Sequence, residues 1–323
     1  MTTELAGTFK PWYTWPNKSI HFKQWYTSPN CRIFLIENIT HNWDWLSKYA
    51  EKIRTTDYFF VQLGWHYHHQ FVEHCEAALQ ALKINKDQFR IMYPDFASKG
   101  LFEYHGFKGD IINHNCFLDW NQFQVINKEK IYDAIYLARF APFKRHELCA
   151  EVPNLALVAG NAWGQVNDYI PPHTYINEKP LAVNEVSEKI AESHVGLILS
   201  EAEGACFSSS EYLLSGIPVV STISAGGRDI WYNDYNSIVC APNADAIRSA
   251  VAELKSRNRN PQMIRDIHVN LSKSMRQSFI KMHKEICAIN GEEHFNTEEY
   301  FVNNFKHKLL DNYEPDFEGI FLA

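Results

Sequence analysis

Short apolar runs alternate with amphipathic stretches along most of this chain. RIFLIE (Arg32 to Glu37) and YFFVQLG (Tyr58 to Gly64) are dense in β-branched and aromatic residues and read as strands. Between them, HNWDWLSKYAEKI (His41 to Ile53) has apolar residues at helical spacing and predicts a helix. A helix over about Gln70 to Leu82 follows, then short strands at RIMYP (Arg90 to Pro94) and GDIINHN (Gly109 to Asn115) with a helix between them. A second series starts at DAIYLARF (Asp133 to Phe140). It continues through LALVAGN, HTYIN, VGLILS (Val195 to Ser200), IPVVST and SIVCAP, with helices at NEVSEKIAESH and AIRSAVAELKS. A basic helical stretch runs from about Pro261 to Asn290, and a polar tail reaches Ala323.

This alternation predicts an α/β protein with doubly wound parallel sheets. At 323 residues the chain exceeds a single ordinary core, so two domains are expected. The charged, turn-like INKEK near Val125 to Lys130 marks the boundary. The expectation is a small domain over residues 1–128 and a second over 129–290, with the tail from about 291 packing back on the first.

Composition narrows the setting. Hydrophobic content of 46% is that of an ordinary globular protein, and no apolar run approaches the ~20 residues of a membrane-spanning helix. The opening MTTELAGTFKPWYTWPNKS is aromatic and polar, unlike a signal peptide. Seven dispersed cysteines without a C-x-x-C read as reduced thiols, hence a cytoplasmic protein. A net charge of −7 argues against a nucleic-acid groove. Aromatics at 14% can stack on sugars or fill cores and decide nothing alone. Arg257, Arg259, Arg265, Lys273, Arg276, Lys281 and Lys284 leave two readings open: a solvated basic helix packing its apolar side on the body, or peripheral contact with an anionic membrane.

The chemistry concentrates in EGACFSSSE, where seven residues separate Glu203 from Glu211. A strand precedes it; YLLSGIPVVST, a short helix and another strand, follows. A small-residue loop leading into a helix leaves backbone N–H groups able to hold a phosphate. Glu203 sits at the strand's carboxyl end, where open α/β sheets bind ligands, and Glu211 one turn into the helix. YLARFAPFKRH places Arg139 and Lys144 just after a strand. Alone they would read as loop cations; beside the acidic block they suit phosphate oxygens. Gly160 in LVAGN either brings backbone close to a ligand or makes a simple turn. His66 in WHYHH and His114 in NHN follow strands and read as a wet surface cluster, a metal-like accident or catalytic groups. No partner motif for zinc accompanies them.

Glu203, Gly204, Glu211, Ser215, Gly216, Pro218, Val219 and Val220, with Gly226 and Gly227 beyond, form a pattern that resembles the acidic signature of the retaining GT-B nucleotide-sugar glycosyltransferases, in particular family 4 (glycosyl transferases group 1). Arg139 and Lys144 resemble that family's cation pair, with Ala138 where a glycine is usual. The motifs cover Asp133 to about Leu254; Met1 to Lys130 is similar only in architecture, with Gly7 the sole glycine before Gly64 where a Gly-Gly loop would stand. The resemblance implies two Rossmann-like domains facing across a cleft. It implies a nucleotide-sugar donor, a saccharide, lipid-linked or protein acceptor, and transfer with retention by front-face attack that needs no protein nucleophile. Arg139, Lys144 and the amides around Ser208 to Ser210 would stabilise the departing diphosphate. Glu211 would hold ribose hydroxyls and Glu203 the donor sugar. Gly160, Gly204, Ala205, Ser208, Ser209, Gly226 and Gly227 would line the donor site, and the stretch holding Asn177 would meet the base through its backbone. His66 or His114 would touch the donor sugar. Arg228 departs from the pattern, either adding a cation there or lying in solvent. No D-x-D triplet occurs, so no metal and no cofactor are expected. The alternatives are a GT-B sugar-nucleotide epimerase and a non-enzymatic GT-B-like binding module.

Overall fold

Strands that are apolar on both sides need cover on both faces, and the amphipathic runs supply it. The computed structural model describes residues 20–159, 169–204, 206–309, 312–313 and 315–322. The chain forms two compact units, Met1–Phe117 with Ser274–Ala323, and Leu118–Lys273. The sequence pattern predicts these lines near residues 128 and 290. The structure divides the chain inside the helix Pro261–Ile289 because the helix serves two cores. His268 packs against Trp231 (ring centroids 4.4 Å) in the second unit, whereas Phe279 packs on Trp25, Phe60 and Phe117 in the first.

In the first unit, β1 (Ile20–Thr27) lies antiparallel to β2 (Arg32–Glu37). β2, β3 (Asp57–Gln62), β4 (Phe89–Tyr93) and β5 (Lys108–Ile111) then run parallel in chain order. Their connections carry α1 (Trp43–Tyr49), α2 (His69–Ala81) and α3 (Phe96–Tyr104). Right-handed crossovers made in one direction place all three helices on one face. Accordingly, Trp45, Leu46, Val72, Leu79 and Phe102 share one core with Phe34, Phe59 and Phe89. The helix expected over residues 41–53 is narrower: 3-10 turns at Thr40–Asn42 and Ala50–Lys52 flank α1. The Asn42 side chain accounts for its start, donating to the carbonyls of Glu37 (2.9 Å) and Asn38 (2.7 Å) and accepting from the Trp45 indole (2.8 Å). β1 has no counterpart in the sequence reading. Its register shifts between Gln24 and Tyr26, so the period-2 pattern breaks and Trp25 and Tyr26 are both buried.

The second unit opens with β6 (Tyr132–Leu137) and adds β7 (Leu155–Val158) and β8 (Tyr175–Ile176) on one side. After α4 (Val183–Ala191) the chain returns to the other side of β6 with β9 (Ser193–Ile198), followed by α5 (Phe207–Leu214), β10 (Val219–Thr222), β11 (Ser237–Cys240) and α6 (Ala244–Ser256). All six strands are parallel, and their order reverses between β6 and β9. A ligand crevice lies outside the carboxyl ends of strands at such a reversal. Tyr212 anchors α5 there. Its hydroxyl accepts from the Leu137 amide (2.7 Å) and donates to the Ile135 carbonyl (3.3 Å), and its ring fills the space over Gly196, where a Cβ would meet it at 2.2 Å.

The late chain completes the first unit. α7 (Pro261–Ile289) and α8 (Thr297–Asn304) cover the face opposite α1 to α3, with Trp25 edge-on to Phe279 and Tyr300. α9 (Phe317–Phe321) closes the other face. Phe317 and Phe321 stack on Trp45, and the Ile320 carbonyl accepts from Arg32, itself bound bidentate to buried Asp57 (2.8 and 2.7 Å). Of the cations grouped in the basic stretch, two turn inward. Arg265 donates to the carbonyls of Trp120 and Leu214 (2.6 Å each), and Arg276 to that of Cys116 (2.6 Å). Among the described residues no helix is long and apolar enough to cross a membrane.

Candidate active site

The carboxyl end of β6 and the loop after β9 converge at the reversal of the second sheet. β6 leads into a 3-10 turn, Pro142–Lys144, whose last carbonyl accepts from the Tyr136 hydroxyl (2.5 Å). This folds the turn back and buries Lys144. Beyond β9, the Glu203 amide donates to the Ala225 carbonyl (3.0 Å) and the Ala225 amide to the Glu201 carbonyl (3.2 Å), tying this loop to the one after β10. Gly226 permits that approach. It has φ +116°, and a Cβ on it would lie 1.6 Å from the Glu203 carbonyl oxygen. Gly227 (φ +91°) opens the next turn, Arg228–Trp231.

These restraints bring Lys144 and Glu203 together. The lysine ammonium bonds Glu203 Oε1, with side-chain exposures of 11% and 15%. The Ser200 hydroxyl donates to Glu203 Oε2. Burial alone would raise the Glu203 carboxyl. The Lys144 charge and hydrogen bond, with Ser200 and Cys206, outweigh it and hold the group below the usual carboxylate range. Glu203 is therefore an ionised acceptor in a nearly closed site, beside the cation expected to meet a phosphate.

The other expected residues are distributed around this pair. Arg139 is exposed and lies over the Phe143 ring (5.1 Å), which Lys144 also faces (5.1 Å). α5 starts from Cys206, in the left-handed region at φ +49°. Ser208 donates to the Leu137 carbonyl (3.1 Å), Ser209 meets the Tyr232 hydroxyl (2.8 Å), and the Ser209 amide bonds the Cys206 carbonyl (3.1 Å). The two hydroxyls thus dock the helix. Glu211 is the fifth residue of α5, one turn into the helix, and half-buried. Gly204 is buried beside Glu203. The Asn177 side chain pairs with both backbone groups of Ala159 (2.8 and 2.9 Å) and with the Lys179 carbonyl (2.8 Å), tying the end of β7 to the segment after β8. Gly160 and Ala205 lie outside the described residues.

In the first unit, most of WHYHH has structural work. The Tyr67 hydroxyl accepts from the amides of Gly64 and Trp65 (3.2 Å each), His68 caps α2 by accepting from the Phe71 amide (3.3 Å), and His69 meets His105 (3.1 Å). His66 is exposed beside Trp65. His114 begins the 3-10 turn after β5; burial pushes its imidazole down to about 4, opposed by the Glu37 carboxylate. Among the described residues no group of three or more His, Cys, Asp or Glu is placed to hold a metal ion.

Sequence reasoning missed the support of the site. Arg228 is wholly buried at 0% exposure. It donates to Ser200 (2.7 Å), to the Thr222 carbonyl (2.5 Å) and to Asp229 (3.2 Å). Of its two expected fates, lying in solvent is overturned. Arg145, left-handed at φ +54°, ties the Leu199 carbonyl (2.6 Å) to the Thr222 hydroxyl (2.6 Å). Only the adjacency of Arg228 to Gly226 and Gly227 could have signalled its role.

No protein-family model matches the chain, and no curated protein is similar to it in sequence. Solved structures are similar in shape. HepE from Anabaena, in complex with UDP, matches with a TM-score of 0.51 and 11% identity over 78% of this chain and 78% of its own. A sucrose-phosphate synthase from Thermosynechococcus elongatus matches at 0.51 with 13% identity over 84% and 74%. An α,α-trehalose 6-phosphate synthase from Burkholderia multivorans matches at 0.50 with 11% identity over 79% and 72%. At these identities the likeness is one of fold. The chain has the α/β architecture of the GT-B glycosyltransferases, with two Rossmann-like units built on largely parallel sheets.

Proposed function

We propose that this chain is a metal-independent, retaining glycosyltransferase, similar to family 4, that moves a sugar from a nucleotide-sugar to a hydroxyl-bearing acceptor. The observation that carries the reading is the buried Lys144–Glu203 pair where the second sheet reverses. A nucleotide-sugar gives both partners new employment. The ammonium exchanges its carboxylate for diphosphate oxygens, whose negative charge grows as the bond to the sugar breaks. The released Glu203 oxygen accepts a hydroxyl of the sugar. Arg139 adds a second cation, and the start of α5 adds backbone N–H groups. Glu211 is assigned to the ribose hydroxyls, and Gly204, Gly226 and Gly227 to close backbone approach. The second unit takes the donor and the first the acceptor. Retention follows from attack on the face the diphosphate leaves, with the leaving phosphate as base. The protein acts in the cytoplasm, and Lys273, Lys281 and Lys284, exposed on α7, are the cations for any peripheral contact with an anionic membrane.

The test is a panel of UDP-, GDP-, ADP- and dTDP-sugars scored by thermal stabilisation, then by transfer with excess EDTA. Uridine nucleotides come first, because HepE was captured with UDP and with UDP-glucose. A ligand at a hundred times its Kd stabilises by about 2.7 kcal/mol. A panel without a stabilising member would sink the donor assignment. Activity lost to EDTA and restored by Mn²⁺ would overturn the metal-free step, and isomerisation of the donor without transfer would make the chain an epimerase.

A further inference from the structure

A buried arginine is costly unless its donors are paired and its charge is balanced. The fork of Arg228 is paired, to Ser200, Thr222 and Asp229. Its balance is incomplete, because Asp229 is 37% exposed. The next carboxylate lies across a single hydroxyl: Ser200 accepts from Arg228 and donates to Glu203 Oε2. Glu203 is therefore gripped from two sides, at Oε1 by Lys144 and at Oε2 by the Ser200–Arg228 pair.

The two grips differ in what they can do. Lys144 carries a compact charge on a flexible stem and is the group a diphosphate would draw away. Glu203 would then stand in a nearly closed site without its direct counter-ion, where a carboxyl takes up a proton. A protonated Glu203 would no longer accept a sugar hydroxyl through both oxygens. The second grip has no competing employment. Ser200 sits just past β9, and the other two nitrogens of Arg228 donate to the Thr222 carbonyl and Asp229. Among the described residues, the other titratable groups that interact with Glu203 are Tyr136 and Cys206. Burial pushes both up, the thiol to about 12, so neither carries charge at neutral pH and neither replaces Lys144.

We propose that Arg228, acting through the Ser200 hydroxyl, is a positioning residue that keeps the Glu203 carboxylate ionised and aimed while Lys144 moves to a diphosphate. This rests on the proposed function for the anion that attracts Lys144; the grip of Arg228 on Glu203 does not.

Lys144→Ala mimics the departure of the lysine without any ligand. With glutamate labelled at the side-chain carboxyl carbon and Glu203→Gln assigning the resonance, Glu203 is titrated by NMR in the wild type, Lys144→Ala, Ser200→Ala and the double variant. Glu203 should remain ionised at pH 7 in Lys144→Ala. In the double variant its midpoint should rise about 1–3 pH units above that of Lys144→Ala. Lys144→Ala/Arg228→Lys, which keeps a buried cation, should give an intermediate midpoint and provides a second measurement should the serine variant fold poorly. Midpoints in both double variants equal to that of Lys144→Ala would overturn the proposal. Inorganic pyrophosphate added to the wild type should shift the Glu203 resonance as Lys144 withdraws. A silent pyrophosphate arm beside the expected midpoints would sink the diphosphate reading while leaving the grip of Arg228 in place.

Discussion

Gly226→Ala tests whether the approach of two loops sets Glu203. Two penalties apply. An L-residue at φ +116° is strained by about 1–3 kcal/mol. The added methyl would also lie 1.6 Å from the Glu203 carbonyl oxygen, so the strands of backbone must part. Parting them breaks the reciprocal bonds of Glu203 with Ala225 and of Ala225 with Glu201, each contributing about 0.5–1.5 kcal/mol. The total is about 2–6 kcal/mol. Gly291→Ala is the control, because Gly291 has φ +79° and open space around it, so only the conformational part applies. Urea unfolding of both variants separates the contact from the strain, and donor turnover should fall in Gly226→Ala but not in Gly291→Ala. A Gly226→Ala protein no less stable than Gly291→Ala, with turnover intact, would refute the view that this contact positions Glu203.

Three further outcomes follow from the same structure. Asp57→Asn should destabilise by about 3–5 kcal/mol in urea, since Arg32 would keep a buried charge without its bidentate partner; a loss below about 1 kcal/mol would contradict this. His268 is buried against Trp231 with its imidazole pushed down to about 3 by burial, so the folded state holds it neutral. Its contribution is full above the unfolded value near 6.5 and is lost as pH falls toward 3, so His268→Phe should flatten the stability-versus-pH curve in that window and nowhere above it. Glu211→Ala should weaken both the bare nucleoside diphosphate and the nucleotide-sugar, whereas Glu203→Ala should spare the diphosphate and cut kcat, as titration calorimetry and steady-state kinetics would show. Wild-type kcat in Glu203→Ala would remove the glutamate from the reaction.

The second unit was legible because its strands are continuous apolar runs and its chemistry sits in one local block from Glu203 to Gly227. Lys144 was legible only as a cation just past a strand end, suited to phosphate oxygens; its ion pair with Glu203 is a contact between segments 59 positions apart that only the structure supplies. What stayed hidden depends on contacts far apart in the chain. Arg228 reads either as a site cation or as a solvated one until Ser200 and the Thr222 carbonyl are placed around it. Asn177 reads as a loop residue until Ala159 is beside it. β1 was obscured by its bulge, and the unit boundary by a helix whose apolar stripe continues without interruption across it.

Arg32 and the Ile320 carbonyl stand 288 positions apart. At about 5–20 residues per second, ribosomal synthesis separates their appearance by about 15–60 s. The second unit, continuous from Leu118 to Lys273, has all its strands in hand during that interval. The first unit does not: Trp45 and Phe34 await Phe317 and Phe321, and Phe60 awaits Phe279. The half made first is therefore finished last, and its open sheet is the surface a chaperone would meet on the nascent chain. Removing residues from Pro315 onward should leave one face of that sheet uncovered for good, since Trp45 and Phe34 lose Phe317 and Phe321, with a folded second unit attached to a sticky, protease-sensitive first.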